Sequence, residues 1–181
     1  NFYANEVNIF AEWCKRNFLD LNVKKTKEMI FDYRIKKPVL PPIVLNNENV
    51  DVVENYKYLG TVIDNKLNES DNIQRIYKKA NQRLYFVRKL RNVNIDSHLL
   101  SMFYRSVVES VLCFCILCWY GNSLAADRKK LLRIIKSARR LGCDVRTLEE
   151  LHDDLVRKKV EQIIDDKEHP LNVYFMYLPS G

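Results

Sequence analysis

A chain of 181 residues with 47% hydrophobic side chains can bury one sizeable core or two small ones, which excludes disorder as its default state. Four glycines and five prolines, set apart by long helix-compatible stretches, exclude a many-turned all-β design and favour a mainly helical one. The formal charge of +7 is unevenly spread, with 10 basic and 11 acidic side chains over residues 1–73, 15 and 3 over 74–140, and 5 and 9 over 141–181.

The elements follow in chain order. Val7, Phe10, Ala11, Cys14 and Phe18 recur at helical spacing and predict an amphipathic helix over residues 3–18. KEMIFDY predicts a strand, KKPVLPP a Pro-broken connection, and PIVLNNENVDVV a hairpin that turns around residues 47–49. YKYLGTVID is a β-rich run that closes at Gly60 or shortly after. From Ser70 the period changes: Ile73, Ile76, Tyr77, Ala80, Leu84, Val87 and Leu90 draw an apolar stripe, while Arg75, Lys78, Lys79, Arg83 and Lys89 lie mostly off it. Asp96 or Ser97 caps a second long helix that runs to about residue 120, and a third spans residues 126–141, basic on its polar side. A fourth covers residues 147–167, followed by an aromatic, Pro-bounded tail. The expected fold is α+β, mainly α: one helix on a small antiparallel sheet over residues 1–66, a helical bundle over 67–141, and a C-terminal helix and tail over 142–181.

Three of the five cysteines, Cys113, Cys115 and Cys118, crowd into the apolar run VVESVLCFCILCWY. Neighbours at those spacings on one helix cannot all bridge, and Cys14 and Cys143 offer no framework, so reduced thiols in a reducing compartment are expected. A zinc or iron–sulfur site would need a fourth ligand nearby, and Phe114, Ile116, Leu117 and Trp119 read as core material, so buried thiols and no metal are expected. The run is interrupted by Glu109 and falls short of the about 20 residues that a membrane span needs, which makes it a buried helix with no membrane partner. Asn1 in place of Met, with no basic-then-apolar leader, reads as a start within a longer protein and an intracellular one, nuclear or cytoplasmic.

Four blocks in fixed order, WCKRNFLDLNVKKTKEMIFDYR, VENYKYLGTVIDNKL, IQRIYKKANQRLYFVRKLR and FYRSVVESVLCFCILCWYGN, resemble the C-terminal half of reverse transcriptases from non-long-terminal-repeat (LINE-type) retrotransposons. The closing EHPLNVYFMYLPSG is similar to the family's ending. The resemblance implies the end of the palm over residues 1–66 and a thumb-like domain over 67–141. In it, Lys25 of Lys25-Thr26-Lys27 corresponds to a lysine proposed to protonate departing pyrophosphate, a role open beside that of a solvated loop lysine. Tyr58, Leu59 and Gly60 resemble the primer grip, beside the plainer reading of a strand ending on a core tyrosine. The thumb residues implied to hold duplex phosphates are Arg75, Lys78, Lys79, Arg83 and Lys89, with Lys129, Lys130, Arg133 and Lys136 as a second set. The partners implied are an RNA or DNA duplex and the absent palm and fingers.

Two-metal phosphoryl transfer needs at least two positioned carboxylates, which the resemblance implies are an Asp in an early strand and an Asp-Asp hairpin, and neither element is in this sequence. NFYANE mimics such a hairpin, but Asn5 and Glu6 stand where its acids would be. Whether the chain is an enzyme therefore stays open. The implied reading is a non-catalytic fragment without a cofactor of its own, Mg²⁺ belonging to the whole enzyme. Two other classes compete. The helices could form a protein-interaction module with a merely solvated basic face. His152-Asp153-Asp154 with His169 formally spells part of an iron and 2-oxoglutarate site, but the β-barrel that houses such sites is not expected. The block from Trp13 to Arg34 also resembles a short element from the N-terminal region of an AlkB-type alkylated-DNA-repair homologue, which would carry a dioxygenase or methyltransferase label.

Overall fold

The spacing of Val7, Ala11 and Cys14 produces the first helix, α1 (Phe2–Arg16), in which only Cys14 is buried. A computed structural model describes residues 2–175, which fall into two compact units, Asn1–Asn68 and Glu69–Gly181. The end of the aromatic tail, from residue 176 on, lies outside the described residues.

In the first unit α1 is followed by β1 (Lys27–Glu28), β2 (Val44–Leu45), β3 (Glu48–Asn49), β4 (Asp51–Val52), β5 (Asn55–Tyr58) and β6 (Thr61–Asp64). The small sheet expected from the sequence is divided into three two-stranded pieces: β1 runs parallel to β4, while β2–β3 and β5–β6 are antiparallel. KEMIFDY yields only β1, because Asp32 accepts hydrogen bonds from the backbone and side chain of Arg34, a local loop that competes with a strand ladder. Both hairpins close through two residues at positive φ, Asn46 and Asn47 in one, Leu59 and Gly60 in the other, the geometry of a tight turn matched to strand twist. Ile43, Leu45 and Val50 form the core of this unit, with Ala4, Val7, Ala11 and Val23 against them.

The second unit is helical. It holds α2 (Ser70–Asn92), α3 (Ser97–Tyr104), a π-helical turn (Arg105–Glu109), α4 (Ser110–Cys113), α5 (Ile116–Trp119), α6 (Ala125–Arg140), α7 (Leu148–Asp165) and a 3₁₀ turn (Asn172–Tyr174). The start signals act as their chemistry dictates. Asp96 accepts from the His98 and Leu99 N–H groups at the head of α3, and Thr147 and Glu150 form a reciprocal capping box on α7. Ile73, Ile76, Ala80, Leu84 and Val87 of α2 pack in one core with Leu100, Tyr104, Val108, Leu112, Trp119, Leu131, Ile134, Ile135, Leu148 and Leu151. The fold is thus α+β and mainly α. Residues 142–165 join the bundle's own core through Cys143, Leu148 and Leu151.

The helix expected to run unbroken to residue 120 is interrupted. Phe114 is extended, Cys115 is left-handed at φ 51°, and the Trp119 indole N–H donates to the Phe114 carbonyl at 2.9 Å across the break. The interruption lets Ile116 and Trp119 enter the core while Phe114, Cys115, Leu117 and Cys118 stay exposed. The expectation of buried thiols is therefore corrected: Cys113 is half-buried, and Cys115 and Cys118 are exposed. Ser97–Trp119 is also longer than the apolar run picked out in the sequence, and by length and composition alone could cross a membrane. Leu100, Tyr104, Val108, Leu112, Ile116 and Trp119 along it are nonetheless buried in the bundle, as the residues of a core helix are.

Candidate nucleic-acid interface

Helices α2 and α6 start at one point. Ser70 Oγ donates to Asp127 Oδ2 at 2.6 Å, and Lys130 Nζ donates to Asp127 Oδ1 at 2.7 Å. The two helices begin together and pack along each other, so they run side by side in the same direction. Each buries an apolar face and turns a basic one outward. On α6 the positions Lys129, Arg133, Lys136 and Arg140 are spaced i, i+4, i+7 and i+11, one stripe along the helix, and all four are exposed. On α2 the same spacing lines up Lys78, Gln82, Tyr85 and Lys89, with Arg75, Lys79 and Phe86 beside them.

Not every cation named from the sequence is free for a ligand. Arg83 is half-buried, and its guanidinium donates to the Val107 carbonyl at 2.7 Å, which binds α2 to the π turn. Lys130 is held by the buried carboxylate of Asp127, whose pKa its hydrogen bond lowers, with help from Ser70. Lys89 lies 5.4 Å from the centroid of the Tyr85 ring. Arg75, Lys78, Lys79, Lys129, Arg133 and Lys136 make no ion pair among the described residues. Three members of these faces are not among the site residues expected from the sequence. Arg140 completes the α6 stripe, and its signal was the interval of seven from Arg133. Tyr85 and Phe86 are half-exposed rings among the cations, detectable because they fall off the apolar stripe of α2.

In the first unit Tyr58, Leu59 and Gly60 form the end of β5 and the hairpin turn, all exposed, with Gly60 at φ 97° where a side chain would be strained. The turn leaves Tyr58 outside any core. Lys25 is exposed in the loop before β1, its backbone N–H donating to the Asn22 side chain at 3.1 Å.

A buried polar group lies deeper in the bundle. Glu109, 5% exposed, accepts from Arg146 Nη2 at 2.7 Å, while its other oxygen and the Tyr104 hydroxyl are buried without a hydrogen-bond partner among the described residues. Burial and Glu109 push the Tyr104 phenol up and the Cys113 thiol up to about 11. Glu109 was visible in the sequence only as an interruption of an apolar run.

The Mg²⁺ of a whole polymerase finds no fit here: among the described residues no three His, Cys, Asp or Glu side chains come together to hold an ion. The iron reading fails on distance. The α7 stretch from His152 to Asp165 alone rises about 20 Å, and His169 lies beyond it, where its Nδ1 accepts from the Leu171 N–H. His152 instead packs on Tyr120, ring centroids 4.7 Å apart.

Comparison with known proteins gives two likenesses. The family model described as "Alkylated DNA repair protein alkB homolog 8, N-terminal" matches residues 70–110. The likeness expected at Trp13 to Arg34 is thereby corrected to residues 70–110. The matched stretch is α2, α3 and the π turn, and its one histidine, His98, is exposed. No solved structure matches the chain. Over 82 residues, 45% of the chain, it is 33% identical to "Probable RNA-directed DNA polymerase from transposon BS" of Drosophila melanogaster. The aligned part spans 9% of that protein's length. The chain thus carries a reverse-transcriptase-like region related to a transposon polymerase.

Proposed function

We propose that the chain is a non-catalytic piece of a LINE-type RNA-directed DNA polymerase, running from the end of the palm through the thumb, and that its helical unit grips a template–primer duplex through phosphates without reading sequence. The observation that carries this reading is the pair of outward basic faces on two parallel helices, Lys129, Arg133, Lys136 and Arg140 on α6 and Lys78, Lys79 and Lys89 on α2, with half-buried Arg75 beside them. Cations at one-turn intervals meet phosphates along a strand, and each neutralised phosphate releases counterions. In this reading Tyr58, Leu59 and Gly60 form a primer-contacting turn, Lys25 is the candidate general acid, and the remaining palm and fingers with their Mg²⁺ belong to the rest of an intracellular enzyme.

Duplex binding measured over a range of salt tests the reading. The expected dissociation constant is of order 10⁻⁴–10⁻⁶ M at physiological salt, with no sequence preference. Replacing Lys129, Arg133 and Lys136 together by Ala should weaken binding to every duplex and flatten the salt slope by about 0.9 for each phosphate that is no longer neutralised. Primer extension with Mg²⁺ or Mn²⁺ should give no incorporation by the chain alone. Equal binding by the triple variant and the parent would overturn the thumb reading and leave the helices as a protein-interaction module.

A further inference from the structure

The break in the apolar helix places two cysteines where a continuous helix would not have been interrupted for them. Cys115 sits at the break in the left-handed conformation, and the Cys118 N–H donates back to its carbonyl at 2.9 Å. A turn closed by an i to i+3 bond holds its end Cα atoms within about 7 Å, and a disulfide needs about 4.4–6.8 Å. Both residues are exposed. The thiols are also close enough to act on each other: burial first, then Cys115 and Glu69, raise the Cys118 pKa. Cys113 stands apart, half-buried, its thiol pushed up to about 11 by burial and by Glu109, and Cys14 and Cys143 are buried.

We propose that Cys115 and Cys118 are a dithiol site that exchanges with small-molecule disulfides and closes to an intramolecular bond, Cys115 attacking and Cys118 resolving. The Cys115 thiolate attacks one sulfur of the small disulfide, forms a mixed disulfide and expels the first thiolate. Cys118, deprotonated, then attacks the Cys115 sulfur and expels the second. One small disulfide is reduced to two thiols, which take up the two protons that the cysteines lose, and the two electrons come from the dithiol. Cys118 is the resolving partner because its place three residues on in the same turn makes its attack on the capped Cys115 intramolecular, while burial, Cys115 and Glu69 raise its pKa and leave it the poorer first attacker. The backbone turn already brings the two Cα atoms within disulfide reach, so ring closure is asked only of the side chains.

The test uses the full chain, reduced, freed of reductant and treated with oxidised glutathione, then acid-quenched, alkylated and digested. Arg105 and Arg128 bound one tryptic peptide that holds Cys113, Cys115 and Cys118, so fragmentation assigns the bond. The expected product is a Cys115–Cys118 disulfide with Cys113 alkylated and the helical circular dichroism unchanged. Cys118→Ser should accumulate glutathione on Cys115, at least about tenfold above the parent, because the resolving thiol is gone. Cys113→Ser should close as the parent does, and urea-unfolded chain should scramble all three thiols. Glutathione persisting on the parent as on Cys118→Ser, a bond to Cys113 in the folded chain, or an unreactive Cys115 would each overturn the assignment.

Discussion

Ser70, the first residue of α2, donates a 2.6 Å hydrogen bond to Asp127 in the first turn of α6, so the two basic helices are joined at a carboxylate that is 3% exposed. The positive end of the α6 dipole and Lys130 both favour its charge. Replacing Asp127 with Asn should cost about 1–3 kcal/mol near neutral pH, because the half-buried donors Ser70 and Lys130 lose a charged acceptor. Lys130 first, then Ser70, depress the folded-state pKa of Asp127. Its contribution is therefore complete above the unfolded value of about 3.9 and disappears as pH falls through the lower folded value. Urea unfolding should show the parent and Asp127→Asn converging below about pH 4. A stability gap that stayed constant to lower pH would contradict this.

Arg146 is the counterion of buried Glu109, and it also reaches Asp154 at 3.2 Å. Removing one partner of a buried pair leaves a bare charge, at about 3–5 kcal/mol, and Arg146→Ala should fall at the low end because half of Arg146 is already exposed to water. Glu109→Gln should be milder, since a neutral amide needs no counterion. Urea midpoints of the two variants give the comparison, and an Arg146→Ala midpoint equal to the parent's would mean that the Arg146–Glu109 pair does not hold the fold.

Gly142 ends α6. At φ 89° it lets its own N–H reach the Arg139 carbonyl at 3.0 Å and the Cys143 N–H reach the Ala138 carbonyl at 3.2 Å, a paired closure of the last turn. Nothing lies within 4 Å of where a Cβ would stand. Gly142→Ala should therefore lose about 1–2 kcal/mol from backbone strain alone, with no steric displacement. Thermal unfolding that left the variant unchanged would show that the turn adopts another closure.

Arg83 separates folding from binding. Its bond to the Val107 carbonyl is part-buried and charge-assisted, so Arg83→Ala should lower stability by about 1.5–3 kcal/mol and leave duplex affinity nearly unchanged once folded. Lys78→Ala with Lys79→Ala should do the reverse, because both side chains are exposed and neither holds the fold. Paired urea and duplex titrations read both effects. Normal stability with weakened binding in Arg83→Ala would return Arg83 to the phosphate-contacting set.

The long helix α2 was legible because Ile73, Ile76, Ala80, Leu84 and Val87 keep one period over its length and no local signal competes. The same reasoning drew the basic stripes but could not see that Arg83 turns inward, since a guanidinium's choice between water and a neighbour's carbonyl is decided in the folded bundle. The break at Cys115 was invisible for a different reason. FCILCWY is apolar throughout, with no Gly or Pro to mark a stop, and the interruption answers a tertiary demand to bury Ile116 and Trp119 together. In the first unit the strand expected over KEMIFDY was overestimated because Phe31 and Tyr33 have strand-like character but lie exposed, unpaired by any neighbouring strand among the described residues.

The π turn from Arg105 to Glu109 has an evolutionary consequence. The Ser110 N–H reaches back five residues to the Arg105 carbonyl, which is how a helix swallows one additional residue without bulging into a loop. In a regular helix one extra residue would rotate everything beyond by about 100°, and the wider turn takes up that rotation, so Val108, Val111 and Leu112 continue the core face that Leu100 and Tyr104 begin. Descendants of a common ancestor can therefore differ in length by a single codon at this spot and keep the bundle intact, and the place to look for that codon is the middle of a helix, where insertions are ordinarily purged.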